Sequence, residues 1–365
     1  MGDLVVAPWI LRLTLWIMLA TALILVGVIV LARAARRRRE RSRARALEPL
    51  REHVLQIAAG DDEGESRTLL SELPPRAFRV VAPLLVGMLS KVRGTPALAI
   101  VGILAAHGAV QLAHTGLGSP SRFRRARSAW SLGLMREEDS ADEIIPLLQD
   151  KDRGVAVTAA RALGMLGDPI ATTALLDSLE PGPRGRGGMP VWVVVEALAR
   201  LGPEAADAVG QALGSPHPTT RTAAALTVAQ GQLLSQAGRI RALLESEEDP
   251  AVLSAAAQAL AATGGAGDVE PLTRLTAPEH SRAVRLAAIA GLGEIGGEET
   301  IAPLLDLVHD PDPTVAEHAA DSLAQLSTEA REALQQLAGA AADSPGSLAA
   351  QYGLVTAALR EGGAP

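Results

Sequence analysis

Apolar residues recur along most of this chain at helical rather than strand spacing, and they recur in blocks. Leu132, Leu163, Leu198, Leu226, Leu260, Leu292 and Leu323 share one local frame, with gaps of 31, 35, 28, 34, 32 and 31 residues. Three residues before each stands Ala129, Ala160, Val195, Ala223, Ala257, Ile289 or Ala320, and one residue after stands Gly133, Gly164, Ala199, Thr227, Ala261, Gly293 or Ala324. Apolar residues at −4, −3, 0 and +3 fall on one face of a 3.6-residue helix, as Ala159, Ala160, Leu163 and Leu166 do. A period of this size means stacked helical hairpins, each too thin to bury its own apolar face alone.

Each block predicts a first helix carrying the frame leucine, a stop four residues later, and a second, Leu-rich helix. The stops are Gly167, Gly202, Gly264 and Gly296, with Arg136, Gln230 and Ser327 as departures. Glycine there supplies a left-handed C-terminal residue. The second helices read IIPLLQ (144–149), ATTALLDSL (171–179), EAADAVGQAL (204–213), RIRALLES (239–246), VEPLTRL (269–275), IAPLLDLV (301–308) and REALQQL (331–337). Asp249-Pro250 and Asp312-Pro313 place an N-cap acceptor before proline at the first helical position, and Asp168-Pro169 does the same for a second helix. The Gly/Pro-rich segment 181–190 predicts an exposed loop. Residues 345–361 predict one closing helix, with Gln351, Tyr352 and Arg360 available for the polar outer face that an array end needs.

The N-terminal pattern differs. Leu13–Ala32 is twenty residues without a charge, roughly 30 Å as a helix and enough to cross the hydrocarbon core. Trp9 and Trp16 lie toward one end, where interfacial indoles are common, and Arg33, Arg36, Arg37, Arg38, Arg39, Arg41, Arg43 and Arg45 follow the other. Basic residues stay cytoplasmic, so the expected topology is single-pass with the N-terminus outside and the bulk of the chain in the cytosol. A cleaved signal peptide would carry its positive charge before the apolar run, the reverse of the order here. The arginines also have the charge to touch anionic headgroups, beside their plain role as a topology signal. Residues 95–110 form a second uncharged stretch, open to reading as another span or as a buried helix; its Ala and Gly content, His107 and the nearby Gln111 and His114 favour the buried helix. The expected organisation is a short extracytoplasmic N-terminus (1–12), a transmembrane helix (13–32), an Arg-rich juxtamembrane segment (33–46), an N-terminal helical region (47–118), the repeats (119–341), and a capping helix and tail (342–365). Within 47–118, a helix at 47–59 and a pair at 75–92 and 95–113 suggest a degenerate first unit with Leu104 near the frame.

Composition narrows the chemistry. Hydrophobic residues make up 48%, yet only seven of 365 residues are Phe, Tyr or Trp, which suits close-packed helices and leaves few rings for stacking on bases. No cysteine is present, which excludes disulfides, thiolate metal sites and cysteine nucleophiles. The net charge of −7 divides into +7 over residues 1–45 and −14 over the rest. An acidic body argues against general nucleic-acid binding, which relies on Lys and Arg neutralising phosphates.

The motifs AVTAARALGMLGD (156–168), RAVRLAAIAGLGEIG (282–296) and DPTVAEHAADSLAQL (312–326) resemble the HEAT-repeat family, in particular the short bacterial form first associated with bilin lyases. The hallmark of that form is Asp-Pro-x-x-Val-Arg-x-x-Ala-Ala-x-Ala-Leu-Gly followed by x-Leu-Gly-Asp. Val284-Arg285 keeps its Val-Arg pair; Val315-Ala316 departs from it. The resemblance covers roughly residues 119–341 and implies an all-α HEAT-like α-solenoid of about seven to eight helical hairpins. Tetratricopeptide units, of similar period, want more aromatic residues than this chain holds, and armadillo units need a third helix. Family membership implies protein binding on an extended curved surface whose concave wall is usually lined by second helices. Carried onto this chain, the wall residues are Asp177, Asp207, Arg241, Arg274 and Asp306, each also readable as merely solvated.

Signatures of chemistry are sparse. HEAT-like hydroxylases hold two irons with His-Glu pairs; here the order is reversed, in Glu279-His280 and Glu317-His318, and the two are out of register. His107 and His114 stand seven apart, not the spacing of a bidentate ligand pair. No Walker loop or paired-glycine fingerprint occurs: Gly185, Gly187 and Gly188 follow no strand. The segment SRFRRARSAW (121–130) is locally basic, with Arg122, Arg124, Arg125 and Arg127 beside Phe123 and Trp130. It reads either as a site for phosphate, headgroups or an acidic partner, or as a solvated helix face. The expectation is a membrane scaffold or adaptor with no catalytic residues, metal or cofactor, engaging a protein partner such as an integral membrane enzyme. An enzyme of the bilin-lyase or hydroxylase kind is the alternative.

Overall fold

The computed structural model describes residues 8–62, 64–181, 187–340 and 344–362, all placed in helices and their connections. The centre of the expected loop at 181–190 lies outside the described residues, as do the side chains of 34–46 and so most of the arginine run. The chain divides into two compact units, Met1–Ala109 and Val110–Pro365.

The first unit contains α1 (Pro8–Ala59), α2 (Glu65–Ser71), α3 (Pro75–Leu89) and α4 (Thr95–Ala106). One continuous helix, α1, carries the apolar run, the arginines and the helix expected at 47–59. Between residues 16 and 30 its described large apolar side chains are exposed, with Trp16 at 68%, Met18 at 71% and Leu23 at 64%. Among the described residues no single helix is long and apolar enough to cross a membrane; within Leu13–Ala32, the side chains of residues 13–15, 20, 22, 24, 31 and 32 lie outside the description. The C-terminal part of α1 packs against α2, α3 and α4, burying Val54, Ile57, Leu70, Val81, Leu85, Ile100, Ile103 and Leu104. His107 stacks on Phe78, with ring centroids 3.6 Å apart, and its Nε2 lies 2.9 Å from the Leu70 carbonyl oxygen.

The helix expected over 95–113 is broken. It stops at Ala106, Gly108 adopts φ 68°, and α5 (Ala109–Leu117) follows. The left-handed glycine ends the α4 hydrogen-bond ladder. α4 and α5 together still have the length and composition of a broken span.

In the second unit the helices alternate as first and second members of hairpins. They are α6 (Arg122–Met135), α7 (Ala141–Ile144), α8 (Arg153–Leu166), α9 (Ala171–Asp177), α10 (Val191–Leu201), α11 (Ala206–Ala212), α12 (Pro218–Gly231), α13 (Ala237–Ser246), α14 (Pro250–Thr263), α15 (Val269–Leu275), α16 (Arg282–Ile295), α17 (Glu298–Leu307), α18 (Pro313–Leu326), α19 (Thr328–Ala340) and α20 (Pro345–Gly362). Even-numbered helices are the first members and pack on one another in sequence from α6 to α20. Frame residues Leu132, Leu163, Leu198, Leu260, Leu292 and Leu323 are fully buried.

α12 corrects the frame. Its eleventh residue, equivalent to Leu132 in α6 and Leu260 in α14, is Val228 at 0% exposure, while Leu226 is only half-buried. The gaps on either side become 30 and 32 residues. The helix stop is accordingly Gln232, at φ 48°, rather than Gln230. Gly167, Gly202 and Gly296 have positive φ as expected, and Arg136 takes the same conformation at φ 52°. Gly264 does not: its φ is −90°. A Cβ there would lie 2.5 Å from the Leu260 carbonyl oxygen, so close approach rather than handedness explains the glycine.

The caps at Asp249 and Asp312 form as the sequence predicts. Asp249 Oδ1 accepts from the Ala251 amide at 2.9 Å, and Asp312 Oδ1 from the Thr314 amide at 3.0 Å, each with proline at the first helical position. Asp168 Oδ1 accepts from the Ile170 amide at 3.0 Å just before α9. Small residues after the frame position let first helices touch backbone to backbone. A Cβ on Gly133 would fall 2.8 Å from the Ala162 Cα, and one on Gly164 would fall 2.7 Å from the Ala197 Cα.

Candidate protein-interaction surface

The polar residues of the second unit sort into two sets: those that bind one repeat to the next, and those left facing solvent. The first set is built on an arginine at the fourth position of three first helices, α6, α12 and α16. Arg125 of α6 donates from Nε and Nη2 to Asp150, both at 2.7 Å, and from Nη1 to the Ser119 carbonyl oxygen at 2.8 Å. Arg221 of α12 donates to Glu247 at 2.7 and 2.9 Å, and to the Ser215 carbonyl oxygen at 2.9 Å. Arg285 of α16 pairs with Asp310 and donates to the Thr276 carbonyl oxygen at 2.7 Å.

Each of these carboxylates lies two residues before the N-cap of the next first helix and accepts that residue's amide. The distances are 2.8 Å for Asp152 to Asp150, 2.9 Å for Asp249 to Glu247 and 2.9 Å for Asp312 to Asp310. One planar guanidinium thus ties the end of its own hairpin's entry loop to the start of the next repeat through two-pronged, charge-assisted bonds. Burial raises the Asp150 carboxyl, and the Arg125 guanidinium with the Asp152 amide overrides that and holds it below its usual range. Glu247 is lowered chiefly by Arg221. An outer pair repeats the theme: Arg122 meets Asp152 at 3.0 Å and Arg282 meets Asp312 at 2.5 Å, lowering both carboxyls.

The expected basic patch is therefore divided. Arg125 is 7% exposed and committed to Asp150, which removes it from any partner surface. Arg122 is exposed but paired, while Arg124 and Arg127 are exposed and make no ion pair among the described residues. Sequence reasoning missed the carboxylates. Their signal was the pattern Asp150-Lys-Asp152, Glu247-Glu-Asp249 and Asp310-Pro-Asp312 ahead of a first helix, with arginine at the fourth position of the helix before.

Among the five residues placed on second helices, Arg241 bonds Asp268 at 2.5 and 3.0 Å. Asp268 is fully buried, also accepts the Gly265 amide at 2.9 Å, and is held low chiefly by Arg241. Arg241 thus bridges α13 to the start of α15. Asp177 on α9, Asp207 on α11, Arg274 on α15 and Asp306 on α17 are exposed and make no ion pair among the described residues. On the first helices, the Arg161 guanidinium lies 5.3 Å from the ring centre of Trp192, which is 58% exposed, and Glu196 meets Arg161 at 3.4 Å and Arg200 at 2.9 Å. His114 lies 3.0 Å from Glu143, and His318 Nδ1 lies 2.8 Å from the Thr314 carbonyl oxygen of its own helix. Among the described residues no group of three or more His, Asp or Glu is arranged to hold a metal ion.

A HEAT-repeat family profile matches residues 111–186 and 276–354. Those two stretches are similar to HEAT repeats, and helices α10 to α15 continue the same hairpin alternation between them. Among curated proteins none matches. Similar solved structures include the complex of CpcE and CpcF of phycocyanin lyase from Nostoc sp. PCC7120 (22% identity, 68% of this chain and 87% of that one, TM-score 0.30). Human deoxyhypusine hydroxylase in complex with glycerol is similar at 17% identity over 77% of this chain and 96% of that one, TM-score 0.30. Kap121p bound to Pho4p is similar at 13% identity over 84% of this chain and 41% of that one, TM-score 0.45.

Proposed function

We propose, starting from a chain with HEAT repeats at both ends of one helical array, that this protein is a membrane-anchored scaffold. Its solenoid engages a protein partner through the exposed faces of the second helices. The observation that carries the reading is the division of charge just described. Arg125, Arg221 and Arg285 on the first helices are absorbed into ties between repeats. Asp177, Asp207, Arg274 and Asp306 are exposed on the second helices α9, α11, α15 and α17 and make no ion pair among the described residues. Charges of mixed sign presented at repeat intervals suit an extended partner, for which electrostatic complementarity sets register and on-rate.

The anchor is the apolar run Leu13–Ala32 with the arginines that follow it, which by the positive-inside tendency leaves the N-terminus outside the plasma membrane and the repeats in the cytosol. The partner is an integral membrane protein, an enzyme that the scaffold holds or regulates. The apolar side chains exposed along α1 support a lipid or span-packing role for this segment.

A photo-crosslinking residue placed at Asp207 or Asp306 of the full-length chain in intact membranes tests the reading. One dominant membrane protein should be captured from both positions, and the combined variant Asp207→Arg with Asp306→Arg should lose it at least tenfold. Capture spread over unrelated proteins, or a capture that the charge reversal leaves unchanged, refutes it. Replacing residues 13–32 with an unrelated apolar span separates the two contributions: loss of the same partner assigns selectivity to the anchor, and retention assigns it to the repeats.

A further inference from the structure

Four cations of the first unit have no carboxylate nearby in the sequence to balance them. No Asp or Glu occurs between Glu72 and Glu137, and the first unit's share of that stretch holds Arg76, Arg79, Lys91 and Arg93. All four are exposed and make no ion pair among the described residues. Arg79 Nε donates to the Pro75 carbonyl oxygen of its own helix at 3.3 Å. The carboxylate of Asp62, earlier in the unit, accepts the Ser66 amide at 2.9 Å and the Arg67 amide at 3.3 Å.

α3 sorts its residues by face. Phe78, Val81, Leu85 and Leu89 are buried in the core of the first unit. Arg76, Arg79, Pro83, Gly87 and Lys91 recur every three or four residues, are all exposed, and form one stripe. The stripe carries cations at both ends, roughly 20 Å apart along the helix axis, and nothing charged between. Arg93 is exposed just beyond the second end. Cations past a helix C-terminus suit its dipole, but Arg76 stands in the first turn, where the dipole opposes it. No side chain caps that end and no acidic residue stands in the turn. Local stability therefore gives no reason for a cation at position 76, an inconsistency of the kind expected at a functional surface.

We propose that this stripe docks an acidic peptide segment of a protein partner, laid along α3 with carboxylates at both of its ends. The surface is separate from the second helices of the array, so it stands apart from the scaffold reading. Two cationic ends this far apart cannot share one small anion. They fit an extended chain, which covers roughly 20 Å in about six residues. Complementary charge at both ends fixes the register of such a chain and speeds its encounter. A lipid surface fits worse, because an interfacial helix sinks its own apolar face among the acyl chains, and α3 buries that face in the first unit. Distance also counts against lipid. α1 is helical from Pro8 to Ala59, and beyond the arginine run its first described part-buried side chain is Leu47. That residue lies roughly 22 Å along the axis from Ala32, while headgroup charge is screened over about 8 Å at physiological salt. A nucleic acid wants a continuous cationic track with exposed rings, and the middle of this stripe is Pro83 and Gly87.

The test uses detergent-solubilised full-length protein and two fluorescent peptides read by anisotropy. One carries a pair of aspartates at each end of a short uncharged spacer; the other has the same composition with every aspartate at one end. The split peptide is expected to bind at least tenfold more tightly. Arg76→Gln with Arg79→Gln, or Lys91→Gln with Arg93→Gln, should each reduce it to the level of the clustered peptide. Arg76→Gln alone should weaken binding with the melting temperature unchanged or raised, a combination that a purely structural role does not give. Equal binding of the two peptides, no measurable binding of the split one, or a preference that survives either double variant overturns the proposal. So does a lower melting temperature for Arg76→Gln with binding intact. Displacement of the split peptide by soluble short-chain phosphatidylserine, where the matching phosphatidylcholine does nothing, assigns the stripe to lipid and also overturns it.

Discussion

At the scale of single residues, the array is held by arginines whose charge is consumed internally. Arg221 and Glu247 are 17% and 5% exposed at their side chains. Replacing one member strands the other, which is far costlier than losing an exposed pair. Glu247→Ala should therefore lower unfolding free energy by about 3 kcal/mol near neutral pH, read from denaturant melts followed by circular dichroism. The pH dependence has a definite sign. Because Arg221 holds the folded Glu247 carboxyl below its unfolded value, its contribution is complete above the unfolded value of about 4.3. It is lost as pH falls through the folded one. The gap between the native protein and Glu247→Ala should thus close on acidification; a gap constant from neutral to strongly acidic pH would deny the ion pair this role. These residues were partly legible. The arginines stood out as a basic cluster, but their buried ends did not, because the matching carboxylates lie 25 or 26 residues away and meet them only once two hairpins stack.

At the scale of the helix, small residues decide how closely first helices approach. Gly164 packs against the Ala197 backbone, so Gly164→Ala should force α8 and α10 apart and cost about 1–3 kcal/mol by overpacking. Gly102 in α4 has open space around a Cβ, and Gly102→Ala should stabilise by about 0.5–1 kcal/mol through helix propensity. Equal effects of the two in thermal melts would dismiss the close-approach account. The leucine frame predicted most first helices because a single face of each is apolar. It slipped by two residues in α12, where Ala223, Ala224 and Ala225 are all buried and give no preferred face. Only the left-handed Gln232 fixes the end of that helix. α4 and α5 were read as one helix for a related reason: their apolar residues run on without a gap, and Gly108 alone carries the turn.

At the scale of the whole molecule, the array and the apolar N-terminal run are the two features that the proposed scaffold needs together. If Leu13–Ala32 is retained in the bilayer, washing membranes with alkaline carbonate should leave the full-length chain in the pellet. External protease on intact cells should spare the repeats. Release into the carbonate supernatant would remove the anchor from the proposal. Acidic character beyond residue 45 (net −14) and a scarcity of aromatic rings set this surface apart from a nucleic-acid groove.

The sequence by itself determined the hairpin period, the all-helical composition of the array, the proline-backed N-caps and the glycine stops. These are local quantities, set by a 3.6-residue periodicity and by backbone preferences within a few residues. Tertiary structure alone decided which charges are ties and which face solvent. A side chain's surroundings in a solenoid come from the neighbouring repeat, some thirty residues distant, and no local pattern records whether an arginine or a leucine turns toward that neighbour or away from it.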